Sequence, residues 1–110
     1  MAKSREAITH NGKAAFYACI WPDLVSAALD CGWALGLHGS LASDMDIMAM
    51  PWTDDADEVE IMLKKLQECF TENKLVKSIR KSTDKPNGRI VYGIPIWDDF
   101  YLDINIIRSK

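Results

Sequence analysis

The sequence has little cysteine, no long apolar run and only a small net charge. Its three cysteines are widely separated and form no C-x-x-C pair, which argues against a disulfide framework and against a zinc knuckle. No apolar run is long enough to cross a bilayer, and the polar segment 1–6 leads into no apolar signal core. We therefore expect a soluble protein of a reducing cytoplasm, with no membrane partner.

What is present is an ordinary globular composition. The chain has 110 residues, of which 48% are hydrophobic and 26% are charged. That length is close to the commonest size of one domain, and the composition is typical of a globular core. We expect residues 1–110 to form a single domain.

Charge is distributed unevenly, although the net charge is only −3. The segment 44–60 holds seven acids and no base, and the segment 74–89 holds six bases and one acid. An acidic patch collects cations and a basic segment meets phosphates, so the pattern suits a nucleotide or nucleic-acid substrate. The alternative interpretation is a pair of solvated faces without a ligand.

Apolar spacing predicts two helices. Asn11 is a candidate cap for a first helix that starts near Gly12 and ends at Gly32, with Pro22 either kinking it or opening a second short helix. A cap within residues 53–55 precedes the second helix. Its apolar stripe is predicted to contain Val59, Met62, Leu63, Leu66 and Phe70.

The remaining pattern predicts a sheet. Its strands are expected at 33–38, 44–50, 76–82, 89–94 and 100–107. The first is apolar and is interpreted as buried, the second as central, and a break near 95–99 precedes the last. The third and fourth form a basic hairpin around Asn87 and Gly88, because both residues tolerate positive φ. We predict an α+β fold in which a mixed β-sheet is packed with two main helices.

Two carboxylates on one predicted strand define the candidate site. Asp44 and Asp46 are spaced i, i+2, so in a strand their side chains share a face, with Cα atoms roughly 7 Å apart. Magnesium accepts a few carboxylates together with phosphate oxygens and water. The pair therefore predicts a divalent-metal site, and the alternative is that both are turn or strand-edge acids.

A third acid lies on the last predicted strand. Asp103 stands between Leu102 and Ile104, an apolar setting in which an unpaired carboxylate is costly. Two-metal phosphoryl transfer places its ions about 3.5 to 4 Å apart and needs carboxylates on rigid elements. We expect Asp103 to converge with Asp44 and Asp46; the alternative is an edge-strand acid that faces water.

The Gly-Ser turn at 39–40, the pair Asp44-x-Asp46 and the later Asp103 together resemble the signature of the DNA polymerase β superfamily of nucleotidyltransferases. More narrowly, residues 37–52 are similar to small phage and prophage proteins that carry the string L-H-G-S-x-x-x-D-x-D-x-x-A-x-P-W. The resemblance implies transfer of a nucleoside monophosphate from a nucleoside triphosphate to a hydroxyl acceptor, in the cytoplasm of a bacterial host cell.

The same resemblance implies a role for each residue. Gly39 and Ser40 would approach the phosphates of the nucleoside triphosphate. Asp44, Asp46 and Asp103 would be the catalytic residues and would hold Mg²⁺ or Mn²⁺, and Asp103 would also help to activate the acceptor. That acceptor would be a nucleic acid or a protein.

Two departures from the family pattern keep other interpretations open. Only residues 41–43 separate the Gly-Ser turn from the first acid, and a short loop offers fewer backbone N–H groups to a triphosphate. The 110 residues also hold no counterpart of the helical domain that many such enzymes use for the base or the acceptor. The alternative is a catalytically inactive relative that acts as a nucleotide-, nucleic-acid- or protein-binding accessory module.

The basic hairpin supports a third interpretation, a small RNA-binding domain that needs no magnesium. Its bases are Arg80, Lys81, Lys85 and Arg89. These residues could contact phosphates, or they could only protect an edge strand and maintain solubility. His38, next to the Gly-Ser turn, is interpreted as a structural group and is left out of the catalytic set.

Overall fold

The computed structural model describes residues 5–39, 41, 44–69, 79–97 and 100–107, without the side chains of residues 5–13 and 97. In chain order the elements are α1 (Arg5–Asp30), β1 (Trp33–His38), β2 (Met45–Pro51), α2 (Val59–Glu68), β3 (Arg80–Ser82), β4 (Ile90–Trp97) and β5 (Phe100–Ile106). A single 3₁₀ turn, Pro86–Gly88, joins β3 to β4. The predicted α+β class is confirmed.

The strands form one five-stranded sheet in the order β1-β2-β5-β4-β3. β2 and β5 run parallel, and the other neighbouring pairs run antiparallel. The sheet is therefore mixed, as predicted. Because β5 lies between β2 and β4, Asp103 is on an internal strand, and its interpretation as an edge-strand acid is wrong.

The core lies between one face of this sheet and the two helices. Buried side chains alternate along β2 and β5, as expected for strands with one covered face: Met45, Ile47, Ala49, Leu102 and Ile104. The helices contribute buried residues that include Tyr17, Leu24, Ala28, Met62 and Leu66. The opposite sheet face is left for polar and partly exposed side chains.

The first helix is longer than the sequence pattern predicts. α1 begins at Arg5, so Asn11 and Gly12 lie inside it and the predicted cap at Asn11 is wrong. One interior glycine costs only about 1 kcal/mol, which a 26-residue helix tolerates. Pro22 is also inside it and leaves the carbonyl of Ala18 without its usual N–H donor; both residues are exposed. No described helix is long and apolar enough to cross a membrane.

The second helix starts later than predicted. α2 begins at Val59, not after a cap at 53–55. The backbone N–H groups of residues 52–53 donate to the carbonyl oxygen of Gly32, at 2.8 and 3.2 Å, and the N–H of Ala56 donates to the carbonyl oxygen of Thr53 at 3.2 Å, which closes a turn before the helix. The predicted apolar stripe is buried at Val59, Met62, Leu63 and Leu66. Its last member, Phe70, lies outside the described residues.

The hairpin of β3 and β4 is present, and β4 is longer than predicted. Asn87 and Gly88 have φ values of 64° and 68°, which confirms the reason for expecting a turn there. Residues 76–78 of the predicted strand lie outside the described residues. The predicted break after residue 94 is wrong, because β4 continues through Pro95 to Trp97 and a register shift against β5 accommodates the proline.

β1 has the predicted bounds but not the predicted burial. It is an edge strand, and only Trp33 at its start is buried, whereas residues 36–38 are exposed. An apolar run without alternation does not reveal which strands have neighbours. The exposed end of β1 therefore borders the sheet face that carries the acids.

Candidate active site

One row of residues crosses all five strands on the sheet face opposite the core. In sheet order its members are His38, Asp46, Asp103, Gly93 and Arg80. Residues paired in register point to the same side of a sheet. The parallel pairing of β2 with β5 therefore sets Asp46 directly beside Asp103.

Asp44 joins this pair from the bend just before β2. Burial, then the negative charges of Asp44 and Asp46, raise the pKa of Asp103 above its ordinary value, and the positive charge of Lys85 opposes the shift. A hydrogen bond between the carboxyl groups of Asp103 and Asp44 raises that pKa further. The structure thus brings the three predicted acids together.

Two glycines flank the acid pair. Gly39 has a φ of 85°, and a Cβ atom built there would lie 2.8 Å from Oδ2 of Asp46. On the other side, a Cβ atom built at Gly93 would lie 3.8 Å from Oδ1 of Asp103. Each carboxylate therefore directs one oxygen away from the other acid, toward β1 or toward β4. Ser40, the second predicted phosphate-binding residue, lies outside the described residues.

The acids suit a divalent cation in their chemistry. Magnesium accepts carboxylate oxygens, and a cation among these acids would offset the repulsion that raises the pKa of Asp103. Among the residues that the structure describes, however, no three His, Cys, Asp or Glu side chains are arranged so that they could hold a metal ion. In their chemistry the three carboxylates suit Mg²⁺ or Mn²⁺, but in the described part of the chain they do not form a group that holds a metal ion.

Three residues that the sequence analysis did not place in the site lie beside the acids. Lys85, Arg89 and Asn105 line a polar cavity of about 220 Å³ together with Asp46 and Asp103. Asn105 could have been found by the i, i+2 rule, because it shares the sheet face of Asp103. Lys85 and Arg89 flank the hairpin turn, and only the pairing of β4 with β5 brings that turn to the acids.

Hydrogen bonds hold Arg89 at the cavity wall. Its Nη1 donates to Oδ1 of Asn105 at 3.0 Å, and its Nε donates to the carbonyl oxygen of Pro86 at 3.3 Å. The amide nitrogen of Asn105 donates in turn to the carbonyl oxygen of Ile47 on β2, at 3.3 Å. Asn105 therefore connects β2, its own strand β5 and the guanidinium group.

A second, more apolar cavity of about 400 Å³ adjoins the first. Its lining consists of His38, Asp46, Met48, Arg89, Asn105, Ile106 and Ile107. Asp46, Arg89 and Asn105 belong to both cavities. His38, interpreted from the sequence as a structural group, is exposed and borders this space.

Comparison with solved structures decides the fold type. The chain aligns with a structure of the GLD-2/RNP-8 complex at a TM-score of 0.54 and 18% identity, covering 93% of this chain and 42% of the other. It aligns with the GLD-2–GLD-3 poly(A) polymerase complex at a TM-score of 0.52 and 19% identity, covering 93% and 38%. The chain has a nucleotidyltransferase-like fold.

This nucleotidyltransferase-like chain spans less than half the length of the solved chains it matches. A structure of a cytoplasmic RNA terminal U-transferase also aligns, at a TM-score of 0.48 and 14% identity, covering 86% of this chain and 30% of the other. No protein-family model and no curated protein matches the sequence.

The nucleotidyltransferase-like fold places charges of opposite sign around one small cavity. Asp46 and Asp103 form one wall, and Lys85 and Arg89 form another. Carboxylates attract a cation, and cationic side chains attract phosphate oxygens. The arrangement can therefore hold a cation and a phosphate group next to each other.

Proposed function

We propose that the chain is a Mg²⁺- or Mn²⁺-dependent nucleotidyltransferase that moves a nucleoside monophosphate from a nucleoside triphosphate to a hydroxyl acceptor. The observation that carries the proposal is the register of β2 against β5, which pairs Asp46 with Asp103. The hydrogen bond between Asp44 and Asp103 adds the third acid. The nucleotidyltransferase-like fold and the Gly-Ser turn support the same reaction.

Each site residue has a role in this proposal. Asp44, Asp46 and Asp103 would hold the cation, which when bound would neutralise charge on the phosphates. The backbone of Gly39 approaches the triphosphate, and the same role for Ser40 stays a prediction. The acceptor oxygen attacks the α-phosphorus, the bond to the bridging oxygen breaks, pyrophosphate leaves, and the carboxylate of Asp103 takes the proton of the hydroxyl.

The proposal extends to the setting of the reaction. The string shared with small phage and prophage proteins leads us to propose a phage-type protein that acts in the bacterial cytoplasm. Nucleoside triphosphates and Mg²⁺ are both present there. The acceptor in this setting is a nucleic acid or a protein.

Two observations favour an inactive relative as the second candidate. No described group of three side chains is arranged to hold a metal ion, and only residues 41–43 separate the Gly-Ser turn from Asp44. Such a protein would keep the fold and bind a nucleotide, a nucleic acid or a protein partner without catalysis. Turnover, not binding, separates the two candidates.

The deciding experiment measures pyrophosphate release. The chain is incubated with each nucleoside triphosphate, with Mg²⁺ or Mn²⁺, and with short RNA as well as its own hydroxyls as acceptors. We expect release by the wild type and a loss of at least about 100-fold in Asp46→Asn, comparable to the loss of one charge-stabilising group in other active sites. Asp54→Asn, an exposed acid in the turn beyond the other end of β2, is the matched control and should retain the wild-type rate.

Binding measurements complete the test. Amide NMR shifts on addition of nucleotide and Mg²⁺ should cluster at residues 38–46 and near Asp103, and Asp46→Asn should abolish them. Shifts without any pyrophosphate release would establish the inactive relative instead. Shifts that Asp46→Asn leaves unchanged would refute the metal site itself.

A further inference from the structure

The row of acids has a different neighbour on each side. Toward β1, Asp46 directs Oδ2 at Gly39, in the turn that the proposed function assigns to the triphosphate. Toward β3 and β4, Asp103 faces Gly93, and beyond it Lys85 and Arg89 line the polar cavity. Asp46 therefore borders both the turn assigned to the triphosphate and the cavity that holds Lys85 and Arg89, two residues called the basic wall below.

The basic wall is organised for an anion. Lys85 is close enough for its positive charge to act on Asp103. Arg89 is held by Asn105 and by the carbonyl oxygen of Pro86, through one Nη1 hydrogen and Nε. A guanidinium group has five N–H donors in a fixed plane, so these two bonds fix its orientation and leave the Nη2 hydrogens for a ligand.

The adjoining cavity has a different chemistry. Met48, Ile106 and Ile107 give it apolar walls, and His38 stands at its edge. Its volume of about 400 Å³ falls within the range of about 300 to 1,000 Å³ that is usual for ligand pockets. Imidazole rings are among the surfaces on which unstacked bases stack, and ligand pockets are lined mainly by apolar side chains.

We propose that the two cavities together form an acceptor groove for the end of a single-stranded nucleic acid. A backbone phosphate lies against Lys85 and Arg89, and an unstacked base lies over Met48 beside His38. This inference rests on the proposed function and names its hydroxyl acceptor. A hydroxyl of a protein side chain brings neither a phosphate for the basic wall nor a base for the apolar cavity, so the groove favours nucleic acid.

The charge and the lining of the groove indicate that its occupant is a single-stranded nucleic acid. Proteins bind single strands through a positively charged groove that follows the backbone and through contacts that cover the bases. Here both parts share Arg89 and Asn105. Asp46 borders both cavities as well, so a strand end in the groove brings its terminal hydroxyl to the acids.

The test uses a fluorescein-labelled RNA hexamer with a free 3′ hydroxyl, titrated with the full chain in Mg²⁺ buffer without nucleoside triphosphate. Fluorescence anisotropy gives the affinity at several salt concentrations. The double variant Lys85→Gln, Arg89→Gln should weaken binding at least tenfold and reduce the slope of log K against log[salt] by about 0.7, because the two cations together hold one phosphate and each phosphate contact on a single strand contributes about 0.7. Met48→Ala should weaken binding several-fold without changing the slope.

The matched control removes two charges elsewhere. The double variant Lys64→Gln, Lys65→Gln changes two exposed positions of α2, a helix on the covered side of the sheet. It should bind the RNA hexamer as the wild type does. The inference is overturned if the wild type does not bind the hexamer, or if both double variants reduce affinity and slope equally. It is also overturned if pyrophosphate release depends on a protein hydroxyl and not on RNA.

Failure of this inference can be told apart from failure of the proposed function. Hexamer binding needs no nucleoside triphosphate, and pyrophosphate release on other acceptors needs no groove. Release with no effect of RNA refutes the acceptor groove alone. Groove-dependent binding with no release of pyrophosphate supports the groove and refutes the nucleotidyltransferase activity.

Discussion

At the scale of single residues, Asp103 is the acid of the site whose surroundings act against its charged form. It is half-buried on an internal strand, and it faces two further acids. Burial and those charges raise its pKa above the ordinary 3.8. A carboxyl with a raised pKa binds its proton more readily in the folded chain than in the unfolded chain, so the free energy of unfolding falls as pH rises through the raised pKa.

The raised pKa predicts a pH-dependent gain in stability for Asp103→Asn. Below the ordinary value of 3.8 Asp103 is protonated in both states and the substitution should change little. As pH rises from 3.8 through the raised pKa, the wild type loses stability that the amide does not lose, so at pH 7 the variant is relatively more stable. Urea unfolding at pH 3.5 and pH 7 in EDTA measures the difference. An equal effect at both pH values, or a gain of the same size in Asp54→Asn, would contradict it.

At the scale of elements, the hairpin of β3 and β4 decides where the basic residues lie. Its turn needs positive φ at Asn87 and Gly88, with values of 64° and 68°. The pairing of Val91 with Asn105 then places the turn over β5. Lys85 and Arg89, which flank this turn, thus line the polar cavity beside the acids.

The prediction at this scale concerns Gly88→Ala. A Cβ atom at Gly88 meets no atom within 4 Å, so the cost is conformational and should be about 1 kcal/mol in the free energy of unfolding. Gly36→Ala is the matched control, because its Cβ atom also meets nothing within 4 Å and its φ is not positive. In the Gly36→Ala variant, the free energy of unfolding should stay unchanged or rise by about 0.5 kcal/mol, as usual for a strand interior. Urea unfolding checks both, and equal effects would rule out the turn as the cause.

At the scale of the whole molecule, the site depends on two strands that are distant in sequence and parallel in the sheet. β2 and β5 are joined by α2, β3 and β4, and their side chains alternate between the core and the open face. Burial of Ile47 and Ile104 on one face forces the acids onto the other. The free energy gained by burying the core therefore offsets the repulsion among the crowded acids.

A cation that binds only the folded chain should stabilise the whole molecule. At ten times its dissociation constant, Mg²⁺ should add about 1.4 kcal/mol to the free energy of unfolding, which corresponds to a rise of several degrees in Tm. Thermal melts with and without Mg²⁺ measure this, with NaCl at matched ionic strength as the reference. Asp46→Asn should lose the increase and Asp54→Asn should keep it. A wild-type Tm that Mg²⁺ leaves unchanged would count against the metal site.

Local pattern was enough for the elements that repeat a simple period. The apolar runs predicted where β1, β2 and β5 lie to within about a residue, and the Asn-Gly step predicted the hairpin. Local pattern also singled out Asp44, Asp46 and Asp103 as a possible group. Ends of elements were less predictable, as the start of α1 and the continuation of β4 through Pro95 show, because packing outweighs weak local signals there.

The hairpin, the shared face of residues two apart on a strand and the choice of Asp44, Asp46 and Asp103 as candidates all follow from the spacing of neighbouring residues. The folded chain alone shows three further features: the parallel register of β2 with β5, the edge position of β1, and the position of Lys85, Arg89 and Asn105 beside the acids. Strand order and register depend on how distant apolar faces pack together, and no local period encodes that choice.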